Sequence, residues 1–273
     1  MNLTELRNAA LKGWEKIIRP DKVLVFIGMA TCGKSAGAQK VMDGIKKALS
    51  EKKVDFEIIS VGCIGFCYQE PLVDVAKPDT PRVCFGNVGL KDVQKIVDYI
   101  LSGKIPKELV IGKYGVGSLA GIPDLDQTPF MKFQVRRILK RCGFIDPENI
   151  YHYIANDGYS GLEKALNIRP EEIIEEVKSS GLRGRGGAGY PTGIKWQACR
   201  DQGGRPKYLI CNADEGDPGA FMNRALLESD PHSVLEGMVI AGYAIGAEEG
   251  YIYCRAEYPL ALERLRRAIS QMQ

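Results

Sequence analysis

Histidine is scarce in this chain: there are two in 273 residues. That leaves little material for histidine-based catalysis or histidine-held zinc. Charge of one sign is also lacking. The net charge is +3, and no basic block is interleaved with aromatics, so nucleic acid is not indicated as a partner. No apolar run approaches the length of a membrane span. The start, residues 1–18, mixes Glu5, Arg7, Lys12 and Glu15 among apolar positions and reads as an amphipathic helix, not a signal peptide. A cytoplasmic location is the resulting expectation. Eight cysteines are too few for a secreted disulfide scaffold of this length, so thiols or metal ligands are expected of them. The remainder, 45% apolar and 26% charged, is ordinary for a globular chain with room for one large or two small domains.

What is there in excess is glycine, in one stretch. Six glycines lie between Gly181 and Trp196, in Gly-Leu-Arg-Gly-Arg-Gly-Gly-Ala-Gly-Tyr-Pro-Thr-Gly-Ile-Lys-Trp. Missing Cβ atoms let backbone N–H groups approach an anion closely, and Arg183, Arg185 and Lys195 add positive charge beside them. A phosphate cradle is the natural reading, with a flexible surface loop as the alternative. The spacing is neither the Rossmann nor the Walker pattern, so it does not name the ligand. A helix is expected before the loop at 170–180, with Glu171 and Glu172 in its first turn, and another after it at 192–199. A strand at 207–212 then runs into a turn carrying Asn212, Asp214, Glu215 and Asp217. Ligands gather at such C-terminal strand ends in α/β sheets, although a solvated acidic loop is the plainer alternative. Helices at 231–246 and 258–273 enclose a second strand at 251–255. Cys199, Cys211 and Cys254 stand singly and read as packing thiols, and His232 as a structural hydrogen-bonding group.

Earlier in the chain, strands at 23–28, 54–61, 71–75 and 82–85 and helices at 36–50 and 90–101 form a β-α-β-β-β-α order, which suggests a thioredoxin-like α/β unit. Cys63 and Cys67 flank a short glycine-bearing loop, and Cys32 lies in the first strand-to-helix loop. Their convergence would make three ligands of one metal centre, whereas iron–sulfur clusters usually take four thiolates. Cys84, inside a strand, reads as a buried thiol. Residues 102–129 read as an extended linker, followed by helices at 129–143, 147–155 and 160–166.

The segment from Gly62 to Pro71, Gly-Cys-x-Gly-x-Cys-x3-Pro, resembles the thioredoxin-like 2Fe–2S domain that accompanies the flavin subunit of complex I and of NADH-linked hydrogenases. The first cysteine motif departs from that family. Its two cysteines fall on Gly28 and Gly33, with Cys32 shifted by one. The alternative is a former cluster domain kept for packing or docking. The glycine stretch, the segment Tyr-Leu-Ile-Cys-Asn-Ala-Asp-Glu from Tyr208, Asp-Pro-His from Asp230 and Gly-Tyr-Ile-Tyr from Gly250 resemble the flavin- and NADH-binding subunit of complex I. The segment Glu-Gly-Asp-Pro-Gly-Ala-Phe-Met from Glu215 is most similar to the NADH-oxidising subunit of electron-bifurcating iron–iron hydrogenases and related formate or NADP-reducing complexes.

That resemblance implies an α/β chain with a thioredoxin-like ferredoxin domain at 1–102 and a linker with helical connector at 103–170. The first part of a Rossmann-like FMN/NADH-binding domain would follow at 171–273. It implies FMN phosphate on Gly184, Arg185, Gly186, Gly187, Ala188 and Gly189, with Lys195, Asn212, Asp214 and Glu215 around the flavin. Tyr190 would stack with the nicotinamide and Asp217 would contact NADH, while Cys32, Cys63 and Cys67 would serve a 2Fe–2S cluster. The implied function is a subunit that passes electrons from NADH through FMN to iron–sulfur clusters, among hydrogenase- or formate-dehydrogenase-type partners. A non-catalytic assembly or electron-relay subunit is the alternative. Asn223 stands where the family usually has Asp. The sequence ends at Gln273, before the family's further strands, Gly-Glu-Glu segment and 4Fe–4S bundle, and two strands are few for a stable sheet. Poor NADH oxidation by residues 1–273 alone is therefore expected.

Overall fold

Val23-Leu24-Val25-Phe26-Ile27-Gly28 is apolar up to its last residue, and as β1 (Val23–Gly28) it is buried almost throughout. Such a run fits a strand covered on both faces. The structure is a computed structural model that describes residues 3–115, 117–217 and 219–273. The chain divides into two compact units: residues up to Asn156 with Ala225–Asp230, and Asp157–Arg224 with Pro231–Gln273.

In the first unit β1 pairs in parallel with β2 (Phe56–Val61) and antiparallel with β3 (Val73–Ala76). Beyond β3 lie β4 (Arg82–Phe85) and β5 (Val110–Tyr114), both antiparallel to their neighbours, giving the order β2-β1-β3-β4-β5. Helix α1 (Leu3–Ile18) brings Ile17 to the face that carries Leu24, Phe26, Ile59 and Val61. The opposite face, with Val25, Ile27, Val73, Val75, Val83 and Phe85, is covered by α3 (Ala38–Glu51) and α4 (Val93–Ser102) through Val41, Ile45, Leu49, Ile96 and Val97. The parallel first pair with an antiparallel continuation is the expected thioredoxin-like arrangement.

Three expectations need correction. The helix expected at 36–50 forms as α3, but the loop expected before it carries a further short helix, α2 (Thr31–Ala36), which Gly37 ends by taking the left-handed conformation at φ 99°. The stretch read as linker supplies β5, whose Gly112 packs against the backbone of Leu125. No α-helix forms at 129–143. Its backbone runs through turns, and the Arg136 guanidinium donates to the carbonyls of Leu139 and Cys142. Met131 is buried there while Phe133 and Val135 face solvent, so the apolar spacing serves no helical face. The unit closes with α5 (Ile150–Ala155), where His152 meets Trp14 edge-on.

The second unit begins with α6 (Ser160–Leu166) and α7 (Pro170–Ser179). The glycine stretch follows, then α8 (Thr192–Arg200), β6 (Tyr208–Ala213), α9 (Met222–Ser229), of which the residues from Ala225 onward belong to the first unit, α10 (Pro231–Ile245), β7 (Glu249–Cys254) and α11 (Pro259–Met272). Strands β6 and β7 pair in parallel, with Ile210 opposite Tyr251 and Asn212 opposite Tyr253. The outward face of this pair carries Tyr208, Ile210, Tyr251 and Tyr253, all exposed. As expected, His232 is buried and structural: its Nδ1 lies 2.7 Å from the Tyr159 hydroxyl and its Nε2 3.0 Å from Gln271.

Replacing Ile45 by Ala removes a fully buried side chain from between α3 and the sheet. The expected loss is about 2–5 kcal/mol in urea unfolding. Leu90→Ala, at a 62% exposed position, should stay within about 0.5 kcal/mol.

Candidate functional site

Two neighbouring backbone hydrogen bonds build the glycine loop. The Gly184 amide donates to the Tyr190 carbonyl at 2.9 Å, and the Thr192 amide donates to the Leu182 carbonyl at 2.9 Å. Arg183 braces the same loop by donating from Nη1 to the Gly189 carbonyl at 3.1 Å. Inside this closure, the amides of Arg185 to Gly189 have no acceptor among the described residues, and the loop is exposed. Gly187 and Gly189 lie at φ 105° and 61°, conformations that side chains resist, and a Cβ at Gly186, Gly187 or Gly189 would meet open space. The result is a closed loop whose inner amides carry no acceptor among the described residues.

Helix α8 starts at Thr192, three residues beyond Gly189. Its position is set by Gly193, where a Cβ would come within 2.7 Å of the Lys178 backbone nitrogen. Only a glycine lets α7 and α8 approach this closely. Lys195 lies exposed in the first turn of α8, and Arg185 is exposed in the loop. Neither has an ion-pair partner among the described residues, so both charges are available to an anion. Tyr190, 55% exposed, closes the ring.

At the C-terminal end of β6 the predicted polar residues divide. Asn212 and Asp214 are exposed, and the Asn212 side chain accepts from the Asp214 amide at 3.1 Å, which shapes the turn. Asp217 is exposed as well. Glu215 differs. It is buried and accepts from the amides of Asn223 and Arg224 at 2.9 and 3.2 Å and from the Tyr258 hydroxyl at 3.0 Å. Burial alone would raise its carboxyl, yet these hydrogen bonds together hold it below the ordinary carboxylate range. Its backbone carbonyl also accepts from Arg255. The Glu215 carboxylate thus starts α9 and turns inward, while Asp214 and Asp217 stay outside. The amide that Glu215 takes from Asn223 needs no side chain there, so the Asn in place of the family's Asp does not disturb this capping.

In the first unit the three predicted thiols converge. The Sγ atoms of Cys32, Cys63 and Cys67 all lie within 4.8 Å of one another, with Cys32 to Cys67 at 3.3 Å and Cys63 to Cys67 at 3.6 Å. The Gly65 amide points at the Cys63 sulfur from 3.2 Å, a turn that needs the φ of 98° found at Gly65. Burial pushes the Cys63 thiol well above its ordinary value. No fourth thiol joins the trio among the described residues. At Gly33 a Cβ would fall 2.0 Å from the Gly28 carbonyl, and at Gly28 one would fall 2.8 Å from the Glu70 carboxylate. A side chain at Gly33 has no room, and one at Gly28 would have to displace the Glu70 carboxylate. The four-thiolate set of a 2Fe–2S cluster is therefore not completed here.

Sequence reasoning passed over the residues that hold these loops in place. Glu228 accepts from the Thr31 amide at 2.8 Å and from its hydroxyl at 2.5 Å, and Ser229 accepts from the Cys63 amide at 3.1 Å. The only local sign was a run of polar residues, Glu-Ser-Asp, directly before Pro231. Glu70, within the cysteine motif itself, was also missed.

Residues 177–273 match the family model described as the Nuo51 FMN-binding domain. Over that stretch the chain is similar to that domain. Over 138 residues, half of the chain, it is 60% identical to the NADP-reducing hydrogenase subunit HndC of Solidesulfovibrio fructosivorans, spanning 28% of that protein. Over 135 residues, 49% of the chain, it is 49% identical to an NADH-quinone oxidoreductase subunit of Rhizobium meliloti, spanning 32% of that protein. The NAD-reducing hydrogenase HoxS subunit alpha of Cupriavidus necator aligns over 92% of the chain at 33% identity and over 40% of its own length. The chain thus spans well under half of each of these relatives. Among the described residues, no helix is long and apolar enough to cross a membrane. The matched residues contain the whole glycine loop, α8 and the acidic turn, and the unaccepted amides and exposed cations there suit a phosphate group.

Glu70 offers a pH test of the first unit. Burial raises its carboxyl from 4.5 to about 7, against the hydrogen bond it accepts from the Leu72 amide and with the nearby Asp74 charge adding to the rise. An unfolded chain ionises this group near 4.5, whereas the folded chain keeps the proton until about 7. The stability it contributes is full below the first value and lost as pH rises through the second, by roughly 3 kcal/mol. Glu70→Gln should remove that slope in urea unfolding between about pH 4 and about pH 8. An unchanged slope would contradict it.

Proposed function

We propose that this chain is a subunit, or the N-terminal portion of one, in an NADH-dependent flavin and iron–sulfur oxidoreductase complex. In this reading electrons pass from NADH through FMN to iron–sulfur carriers, in a complex of the hydrogenase or formate-dehydrogenase type. The observation that carries the reading is the closed glycine loop with its unaccepted amides. The relatives' names support it, and a cytoplasmic setting goes with NADH as donor.

FMN, when bound, supplies the exchange between hydride transfer and single-electron transfer. The chain's own residues bind and orient. The amides of Arg185 to Gly189 would donate to phosphate oxygens. Lys195 and Arg185 balance the phosphate charge with charge-assisted bonds. Asn212, at the end of β6, offers both a donor and an acceptor to a flavin's polar edge. Tyr190 presents a ring for stacking against a nicotinamide, and Asp217 offers an acceptor to its ribose. Glu215 supports this set from behind by fixing the start of α9.

Titration of FMN fluorescence with the purified chain tests the reading. Gly187→Val forces a β-branched residue into a left-handed position, at a cost of about 1–2 kcal/mol, and narrows the cradle. It should weaken FMN by about tenfold or more, and lower stability in urea unfolding by no more than that backbone strain. Lys195→Ala should weaken FMN by a similar factor and flatten the salt dependence of binding. If both variants bound FMN like the parent chain, the phosphate would not lie on this loop.

A further inference from the structure

The thiol trio points to a different centre from a two-iron cluster. We propose that Cys32, Cys63 and Cys67 hold a single thiophilic divalent cation, Zn2+ by class, with the fourth position of its tetrahedron open to solvent or an added ligand.

A metal–sulfur bond of about 2.3 Å in a tetrahedral site places its ligand sulfurs about 3.8 Å apart. The trio's two closest separations are 3.3 and 3.6 Å, and its third is within 4.8 Å. These three sulfurs outline one face of one tetrahedron. A 2Fe–2S cluster divides four thiolates between two irons, so its ligands form two separated pairs. Among the described residues there is no second pair. The positions that would complete it are glycines: a Cβ at Gly33 would strike the Gly28 carbonyl, and one at Gly28 would displace the Glu70 carboxylate. Cys84 and Cys142 are both fully buried elsewhere, in β4 and at the end of the 129–143 turns, and neither joins the group.

The surroundings are those of a built site. Thiolates are soft ligands that select Zn2+ over the hard cations. The Gly65 amide directed at the Cys63 sulfur is the outer-shell contact a metal thiolate takes. Both cysteine-bearing loops are fixed from one short segment, Glu228 holding the start of α2 and Ser229 holding the Cys63 amide. The site is therefore rigid before any ion arrives. Cys63 is buried while Cys32 and Cys67 are half-exposed, which leaves an entry path on their side. Loading replaces the thiol protons by one cation and releases those protons to solvent, with no change in oxidation state. A zinc centre carries no electrons, so the first unit would serve as structure or docking and would not relay charge from the flavin. The inference stands on the first unit alone and holds whether or not FMN binds to the second.

The experiment uses the 273-residue chain, prepared under reducing anaerobic conditions and stripped with a chelator. Zn2+ alone is titrated against a colorimetric competitor, and Co2+ serves as the spectroscopic substitute. The expected result is one ion per chain, with thiolate-to-cobalt charge-transfer absorption and ligand-field bands of a tetrahedral ion. Cys67→Ser should weaken the ion by more than about 100-fold, beyond the effect of losing an outer-shell partner. Cys199→Ser, in the other unit, should leave it unchanged. Because Cys67→Ser could perturb folding, protection of the parent chain's thiols from alkylation by bound Zn2+ provides an independent reading. Absence of stoichiometric Zn2+ would overturn the proposal. So would isolation of the chain with equal iron and acid-labile sulfide and cluster absorption. FMN titration of the same samples separates this result from the flavin reading.

Discussion

Three consecutive polar side chains, Glu228, Ser229 and Asp230, have almost no exposed surface, and each meets a different loop of the first unit. Glu228 caps the helix that carries Cys32, Ser229 holds the Cys63 amide, and Asp230 pairs with Arg141 at 2.8 Å. Charges buried to this depth are tolerated only when paired and hydrogen-bonded, and removing one partner from such a pair costs about 3–5 kcal/mol. Their value here is positional. Apolar residues could fill the same volume, but they would leave the two cysteine loops free to choose their separation. With these bonds in place, the three sulfurs are brought together by backbone anchored at two points, and the cost of collecting them is met during folding and not at metal binding. The tight fit at Gly62, where a Cβ would fall 2.2 Å from Ser229, shows how closely the segment is seated.

The flavin-type loop works by the opposite arrangement. Its backbone is closed by two hydrogen bonds and one guanidinium, and the amides between them are left for a ligand. Such a loop contributes little to the stability of its own unit, since its side chains are exposed and its glycines cost conformational entropy to order. The rigid parts lie on either side. Gly193 seats α8 against Lys178, and the Glu215 carboxylate seats the start of α9. Binding residues thus hang between two fixed helices.

Much of this was legible in the sequence where a signal is local. The apolar run of β1, the acidic first turn of α7, the glycine-dense loop and the cysteine spacing all state their structure within a few residues. Where partners are remote the sequence is silent. Glu228 meets a residue 197 positions away and Ser229 one 166 away, so nothing near them indicates their task. Strand β5 was hidden for a different reason: its five residues sit between glycines and prolines, and only pairing with β4 makes them a strand. The stretch at 129–143 misled in the other direction. Its apolar spacing suits a helix, but the Arg136 side chain takes carbonyls that a helical ladder would need. Glu215 was read by its charge, which placed it with Asp214 and Asp217, whereas its burial and amide partners set it apart. Alternation in exposure along β6, which ends on buried Ala213, decides which neighbours face outward, and that depends on α10 packing behind the strand.

Glycine decides both sites, in opposite senses. At Gly28 and Gly33 the missing Cβ is used up by the protein itself, because a carboxylate and a carbonyl occupy the space. At Gly186, Gly187 and Gly189 the missing Cβ leaves open space beside unaccepted N–H groups. The same residue type therefore excludes ligands in the first unit and admits them in the second. A site whose glycines are filled can offer only the sulfurs that remain, and three sulfurs in mutual contact suit a small cation. A site whose glycines are open offers a ring of donors several residues long, which suits a multi-oxygen anion. Counting glycines in a motif cannot distinguish the two cases, because the difference lies in what has folded against them.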